Sequence, residues 1–276
     1  MQEAESLGVH VLPIGLSVGS SHFLHYPDCR ELPARDFYAA LRAGMDVSTS
    51  ATGLAFWLDA MEEPLRAGRD AIVLPLAGSL TGGYNNACMA ANELMESYPE
   101  RKIFVIDTVC ASLGLGILVR KASEWRRSGM SAAETAAHLE AAKYHIVHLF
   151  TVDSLDHLRR GGRISAASAI IGSVLSVKPI LNFDKTGKIG VISKCRGRKN
   201  SIREMAGYIA ECALPETAPE IGITHADCEK DAMMLSDEVK KLVPEASVTV
   251  NCMAPVLAAH AGPGGLALFF VGTRPK

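Results

Sequence analysis

Aromatic residues are scarce, at 6% of 276 positions, and net charge is nearly absent, with a formal balance of −2. The near-neutral balance excludes the global basic field that draws in nucleic acid or an anionic membrane surface. No apolar run reaches the ~18 residues that a bilayer crossing needs. The opening Met1-Gln-Glu-Ala-Glu has neither a basic flank nor a signal-peptide core. The expectation is a soluble cytoplasmic protein with no nucleic-acid partner and at most transient membrane contact. The seven cysteines form no C-x-x-C pair and their number is odd. That speaks against a disulfide framework and a structural zinc site, and for reduced thiols packed as small core residues. Neither a repeat of fixed period nor a low-complexity tract is present.

What is there suffices for a packed core: 48% of residues are hydrophobic, and the length suits two domains. Strand and helix patterns alternate up to about residue 147. The predicted strands are 9–18, the apolar run from Ala71, and 102–108; the predicted helices are 34–44, 54–65, 84–98, 112–128 and 131–143. Such alternation argues for a mainly parallel sheet covered on both faces. From residue 148 hairpin signals mix with helices. An apolar helix of small residues is predicted over 164–176, and a hairpin over 178–194 closed by Asp184-Lys-Thr-Gly187. The fold class is therefore α/β, with an N-terminal α/β domain over 1–147 and a C-terminal α+β domain over 148–276.

The stretch from Ala71 to Ala87 carries the first functional signal. A buried-strand pattern runs into a loop with two hydroxyls, Ser79 and Thr81, and three glycines, Gly78, Gly82 and Gly83; a helix follows. Strand, hydroxyl-glycine loop and helix together point N–H and O–H donors at whatever lies past the strand's carboxyl end. Phosphate, sulfate and carboxylate all fit that place, and a glycine-rich turn without a ligand fits the same residues. A second hydroxyl-rich segment, Ser48-Thr-Ser50 with Thr52, reads as a loop.

Other constellations are weaker. Gly114-Leu-Gly116 and Gly262-Pro-Gly264 echo a dinucleotide fingerprint but lack its strand-to-helix context. His22 with His25, and His145 with His148, lack a carboxylate partner, so no metal and no cofactor is expected. His260 directly precedes the glycine-rich 262–265 stretch, where a ligand oxygen and a helix cap compete as its partner. A hydrolase elbow, G-x-S-x-G, is not formed by Gly78-Ser-Leu-Thr-Gly82. A small hydrolase or phosphotransferase using Thr81 or Ser79 with His260, and Asp107 as the acid, is kept as the alternative. Lys194, Arg196, Arg198 and Lys199 form a dense basic cluster, suited to an acidic partner or to plain solvation.

Six motifs in order resemble the DegV family, the fatty-acid-binding proteins that serve bacterial fatty acid kinase. They are Thr49-Ser50, Leu80-Thr-Gly-Gly-Tyr84, Leu158-Arg-Arg-Gly-Gly-Arg-Ile164, Lys178-Pro-Ile-Leu181 with Asp184 to Gly187, the basic residues from Arg196, and His260-Ala-Gly-Pro-Gly264. The chain departs from the pattern in lacking a proline after Thr49-Ser50 and in carrying Gly83 where the family has a threonine. The family's opening strand, which ends in T-D-S, has no counterpart, so a two-domain fold lacking that strand is expected. The resemblance implies a non-catalytic carrier. It would hold a long-chain fatty acid between the domains and present it to an ATP-dependent fatty acid kinase subunit. The carboxylate would meet Thr49, Ser50 and Thr81, with Ser79 and His260 close. The acyl chain would run along Ile164, Ile170, Ile171, Val174 and Leu175. Arg196 and Arg198 would dock the kinase. A long acyl tail offers on the order of 10 kcal/mol of gross burial. Neutral hydroxyls are therefore expected to suffice at the head in place of an arginine.

Overall fold

The computed structural model describes residues 2–164, 177–214 and 220–275. The first half opens with α1 (Gln2–Leu7), then the hairpin β1 (Ile14–Val18) and β2 (Ser21–His25), α2 (Ala34–Arg42) and β3 (Val47–Ser50). Next come α3 (Leu54–Arg66), β4 (Ala71–Val73), α4 (Gly83–Ser97), β5 (Ile103–Val105), α5 (Ser112–Arg127) and α6 (Ala132–Ala142). The second half contains β6 (Ile146–Thr151), α7 (Asp156–Arg160), β7 (Val177–Phe183), β8 (Ile189–Arg196), α8 (Arg198–Cys212) and β9 (Glu220–His225). It ends with α9 (Glu229–Leu242), β10 (Ser247–Cys252), α10 (Pro255–Ala261) and β11 (Leu266–Val271). The helix predicted over 164–176 lies outside the described residues except for Ile164.

The expected mix of helices and strands is present, but the first half distributes its strands differently. Its parallel part is the pair β4–β5, while β2, β1 and β3 form a separate antiparallel sheet. The connection explains this. Only Gly19 and Ser20 separate β1 from β2, and so short a link permits a hairpin and no crossover; Gly19 takes φ +57° there. The predicted strand 9–18 begins only at Ile14, after Pro13. The carbonyl of Pro13 accepts a hydrogen bond from the Thr52 hydroxyl at 2.8 Å.

The hydroxyl segment read as a loop is largely strand. Ser48, Thr49 and Ser50 pair with Ser17, Leu16 and Gly15 of β1. A β-branched threonine suits a strand, and with a partner edge available the backbone groups join the ladder instead of turning. Gly15 makes the close pairing possible: a Cβ there would sit 2.0 Å from the Ser50 hydroxyl.

In the second half β10, β9, β11, β6, β7 and β8 form one six-stranded sheet, parallel only between β9 and β10. The predicted capping box is present: Ser131 accepts from the Glu134 N–H while the Glu134 carboxylate accepts from the Ser131 N–H. One face of the sheet carries α8 and α9 over Val147, Leu149, Ile221 and Leu268. The other meets the first half. A shared apolar cluster runs from Leu16 and Phe37 to Leu181, Val256 and Phe269, and the buried Tyr38 hydroxyl donates to the Met253 carbonyl at 2.6 Å. The two halves thus bury surface against each other along β1, α2 and α10.

Candidate functional site

A cavity lies where the halves meet. It encloses about 870 Å³ of atom-free space, a figure that includes open solvent at its mouth. Its walls are mostly apolar, with Leu158, Val256 and Leu257 from α7 and α10, and Phe150, Phe183 and Phe269 from the sheet. Five polar residues converge where β3 and α10 meet, Thr49, Ser50, Thr81, Arg163 and His260, while Ser112 at the start of α5 and His148 of β6 line the cavity away from them. The sheet's strict alternation sets the floor, because Phe150 and His148 share one face of β6 while Val147 and Leu149 face the opposite core.

The Thr49 hydroxyl and the Nε2 of His260 are 2.8 Å apart. The other ring nitrogen, Nδ1, is buried without a hydrogen-bond partner. It faces the backbone of Gly161, where a Cβ would approach it to 2.3 Å. A proton on Nδ1 would be a buried, unmatched donor, so the network places it on Nε2, donating to Thr49. The Thr49 hydroxyl hydrogen is then free to turn into the cavity. Burial, and after it the neighbouring Arg163 cation, push the His260 pKa down to about 4. The ring is neutral near pH 7. The Thr81 hydroxyl oxygen accepts only a long contact, 3.4 Å, from the Gly83 N–H, which leaves its proton for a ligand. Ser50 borders the cavity from the end of β3, its hydroxyl against Gly15.

Arg163, within the Leu158–Ile164 motif, also lines the cavity and brings a cation to it. Its Nε donates to the Leu80 carbonyl at 3.1 Å and its Nη1 to the Gly161 carbonyl. Both acceptors are neutral, and among the described residues no carboxylate pairs with it. Burial lowers its pKa, the signature of a charge held partly out of water without a counter-ion. A cation thus lines the cavity beside the hydroxyls, where the sequence reading placed neutral hydroxyls alone. The available signal was a charged residue set directly between a glycine pair and a buried isoleucine.

Other expected site residues divide. Ser79 does not line the cavity. It is exposed, and its hydroxyl lies 3.0 Å from where a Cβ on Gly187 would be, beside the β7–β8 turn. Asp107 accepts from the Gly78 and Val109 N–H groups at 3.0 and 3.1 Å, which fixes the loop after β4. The hydrolase arrangement of Ser79 or Thr81 with His260 and Asp107 is thus not assembled; His260 pairs with Thr49. Ile164 is buried in the shared core without lining the cavity. Ile170, Ile171, Val174 and Leu175 lie outside the described residues.

The basic cluster also splits. Arg196 is exposed at the end of β8. Arg198 is committed internally: it donates to Asp231 at 2.8 Å and to the Gly264 carbonyl at 2.7 Å. It pins the 262–265 loop beneath α10, so its charge does not face outward for a partner. No helix among the described residues is long and apolar enough to cross a membrane.

Comparison with known proteins agrees with this architecture. A family model described as "Uncharacterised protein, DegV family" matches residues 1–273. A DegV domain-containing protein of Clostridium perfringens is 34% identical over 97% of this chain and 92% of its own length. Among solved structures, a fatty acid binding DegV family protein from Streptococcus agalactiae is 29% identical. It superposes with a TM-score of 0.84, covering 97% of this chain and 92% of that one. DegV of Bacillus subtilis, described as a fatty acid binding protein, is 26% identical with a TM-score of 0.85, covering 99% and 94%.

Proposed function

This chain belongs to the DegV family, and from that premise we propose that its cavity holds one long-chain fatty acid and presents it to an ATP-dependent fatty acid kinase. The observation that carries the reading is the polarity of the cavity. Apolar walls end in three hydroxyls, a neutral histidine and an arginine that meets no carboxylate among the described residues. A carboxylate on an alkyl tail matches both halves of that description. Thr49 and Thr81 donate to the carboxylate, His260 orients Thr49, and Arg163 supplies the opposite charge. Fatty-acid binding by similar DegV proteins supports the same ligand.

Energetics divide the labour. Tail burial contributes on the order of 10 kcal/mol gross, and association costs take back several of these. Affinity then rests on the tail, and the head sets orientation. Arg163 has already spent its Nε on Leu80 and one Nη1 hydrogen on Gly161, so the side-on fork of Nε and Nη2 is not on offer to the carboxylate. A head held at single points keeps an oxygen for attack on the γ-phosphorus of ATP, which would expel ADP and leave an acyl-phosphate. The kinase would approach over the exposed Arg196.

Extraction of the purified protein with organic solvent, followed by mass spectrometry, tests the ligand. One long-chain fatty acid per chain is expected. A protein that is empty and also takes up no added fatty acid would overturn the reading. The kinase step is tested by adding a competent kinase subunit and ATP to the loaded protein. Absence of acyl-phosphate would refute it.

A further inference from the structure

The end of the cavity at His148 is built from three packed rings. His148 of β6 lies flat on Phe183 of β7, with centroids 4.6 Å apart and planes 3° from parallel. Phe269 of β11 meets the imidazole edge-on at 5.5 Å. All three line the cavity. Thr49, Thr81, Arg163 and His260 gather where β6 runs out towards α7 and α10, whereas His148 lies back along β6 towards Ile146, with Ser112 the polar residue lining the cavity near it. A chain anchored by its head at Arg163 and Thr49 runs along the sheet face towards these rings.

The imidazole behaves there as a hydrocarbon wall. Its Nε2 accepts the Ala111 N–H at 3.2 Å, which leaves Nδ1 to donate to the Ile146 carbonyl at 3.3 Å. Both nitrogens are spent on backbone, and only ring faces and edges remain to meet a ligand. The wall is also backed. The same Ile146 carbonyl accepts from Nε of Arg274 at 3.0 Å, and that guanidinium further donates to the Lys143 carbonyl at 2.9 Å and to the Asp184 carbonyl. Pushing the rings outward would break contacts of a largely buried cation, which is costly.

We propose that His148, Phe183 and Phe269 form the blind end of the acyl channel and set the longest chain this protein accepts. The proposal rests on the fatty-acid reading above and adds what selects among fatty acids. Up to the stop, each added methylene strengthens binding about fourfold. Beyond it, further carbons must displace packed rings and binding weakens.

The test is a series of saturated fatty acids of increasing length, titrated into the delipidated full chain and its Phe183→Leu, Phe183→Ala and Phe183→Trp variants. The wild type should show an affinity maximum at one length. Leu and Ala at position 183 should move the maximum upward, Ala by about two methylenes with roughly a fifteenfold gain for the longer acid. Trp should move it downward. A uniform loss at every length, with the maximum unmoved, would overturn the proposal and make the rings ordinary core. Should Phe183→Ala not fold, the Leu and Trp variants still give shifts of opposite sign. Failure of the wild type to bind any fatty acid would instead overturn the carrier reading itself.

Discussion

Replacing Arg163 separates the head from the tail. Arg163→Met keeps an unbranched stem of similar reach and deletes the guanidinium. A hydrogen bond to a charged partner contributes about 1.5–3 kcal/mol. Arg163 is half-buried, so solvent screening places the expected loss at the lower end. At 1.4 kcal/mol per factor of ten, the affinity for a fatty acid should fall about tenfold. The informative comparison is the fatty alcohol of equal length, which buries the same tail and carries no charge. Its affinity should change by less than about threefold, because it loses at most a neutral hydrogen bond. Displacement of a fluorescent fatty acid measures both ligands in one titration. Arg163 also donates to Leu80 and Gly161, so a merely structural role would loosen the loop and weaken acid and alcohol alike. An equal loss for the two ligands would refute the electrostatic role, and an undiminished affinity for the acid would take Arg163 away from the head altogether.

Acid should destabilise the protein through the buried His148 and the half-buried His260. Burial dominates in both, pushing His148 down to about 3 and His260 to about 4 from an ordinary 6.5. The folded state thus binds fewer protons than the unfolded state below pH 6.5, so stability is full above that pH and is lost as pH falls through 4 and 3. The midpoint of thermal unfolding should drop across that window, and His148→Phe should flatten the drop while costing about 1–3 kcal/mol at neutral pH, because the Ala111 N–H loses its acceptor. A slope unchanged by His148→Phe would remove His148 from this account. Gly161→Ala puts a methyl 2.3 Å from Nδ1 of His260 and should push the ring off Thr49, weakening fatty-acid binding several-fold, about what one hydrogen bond provides; unchanged affinity would show that Thr49 needs no such support. Arg196→Glu should leave fatty-acid binding intact and slow acyl-phosphate formation with the kinase subunit, whereas an unchanged rate would move the docking surface elsewhere.

Much of this architecture is legible from local pattern. The 71–87 stretch, the capping box at Ser131 and the hairpin around Asp184 to Gly187 each carry their determinants within a few residues, and each appears where the sequence puts it. Thr49, Ser50, Thr81 and His260 were legible as candidates because hydroxyls and a histidine beside glycines have few structural uses. The misreadings share a physical origin. Residues 47–50 are a strand only because β1 offers an edge and Gly15 offers room for Ser50; without that partner the same hydroxyls would favour a turn. Ser79 and Thr81 are two residues apart on one loop, yet only Thr81 reaches the cavity, because the β7–β8 turn lies against Ser79.

The arginines make the point most sharply, since composition treats them as equivalent. Arg198 sits in the densest basic run of the chain and spends its charge on Asp231, 33 residues away. Arg163 follows two other arginines in a glycine-rich turn and, among the described residues, meets only carbonyls. A counter-ion is a long-range property of the fold, and its absence is what distinguishes a binding cation from a structural one. An arginine whose acceptors are neutral retains a charge that folding has partly desolvated and not matched. An anionic ligand head would complete that arrangement, which is why the proposed function rests on Arg163 and not on the conspicuous basic cluster.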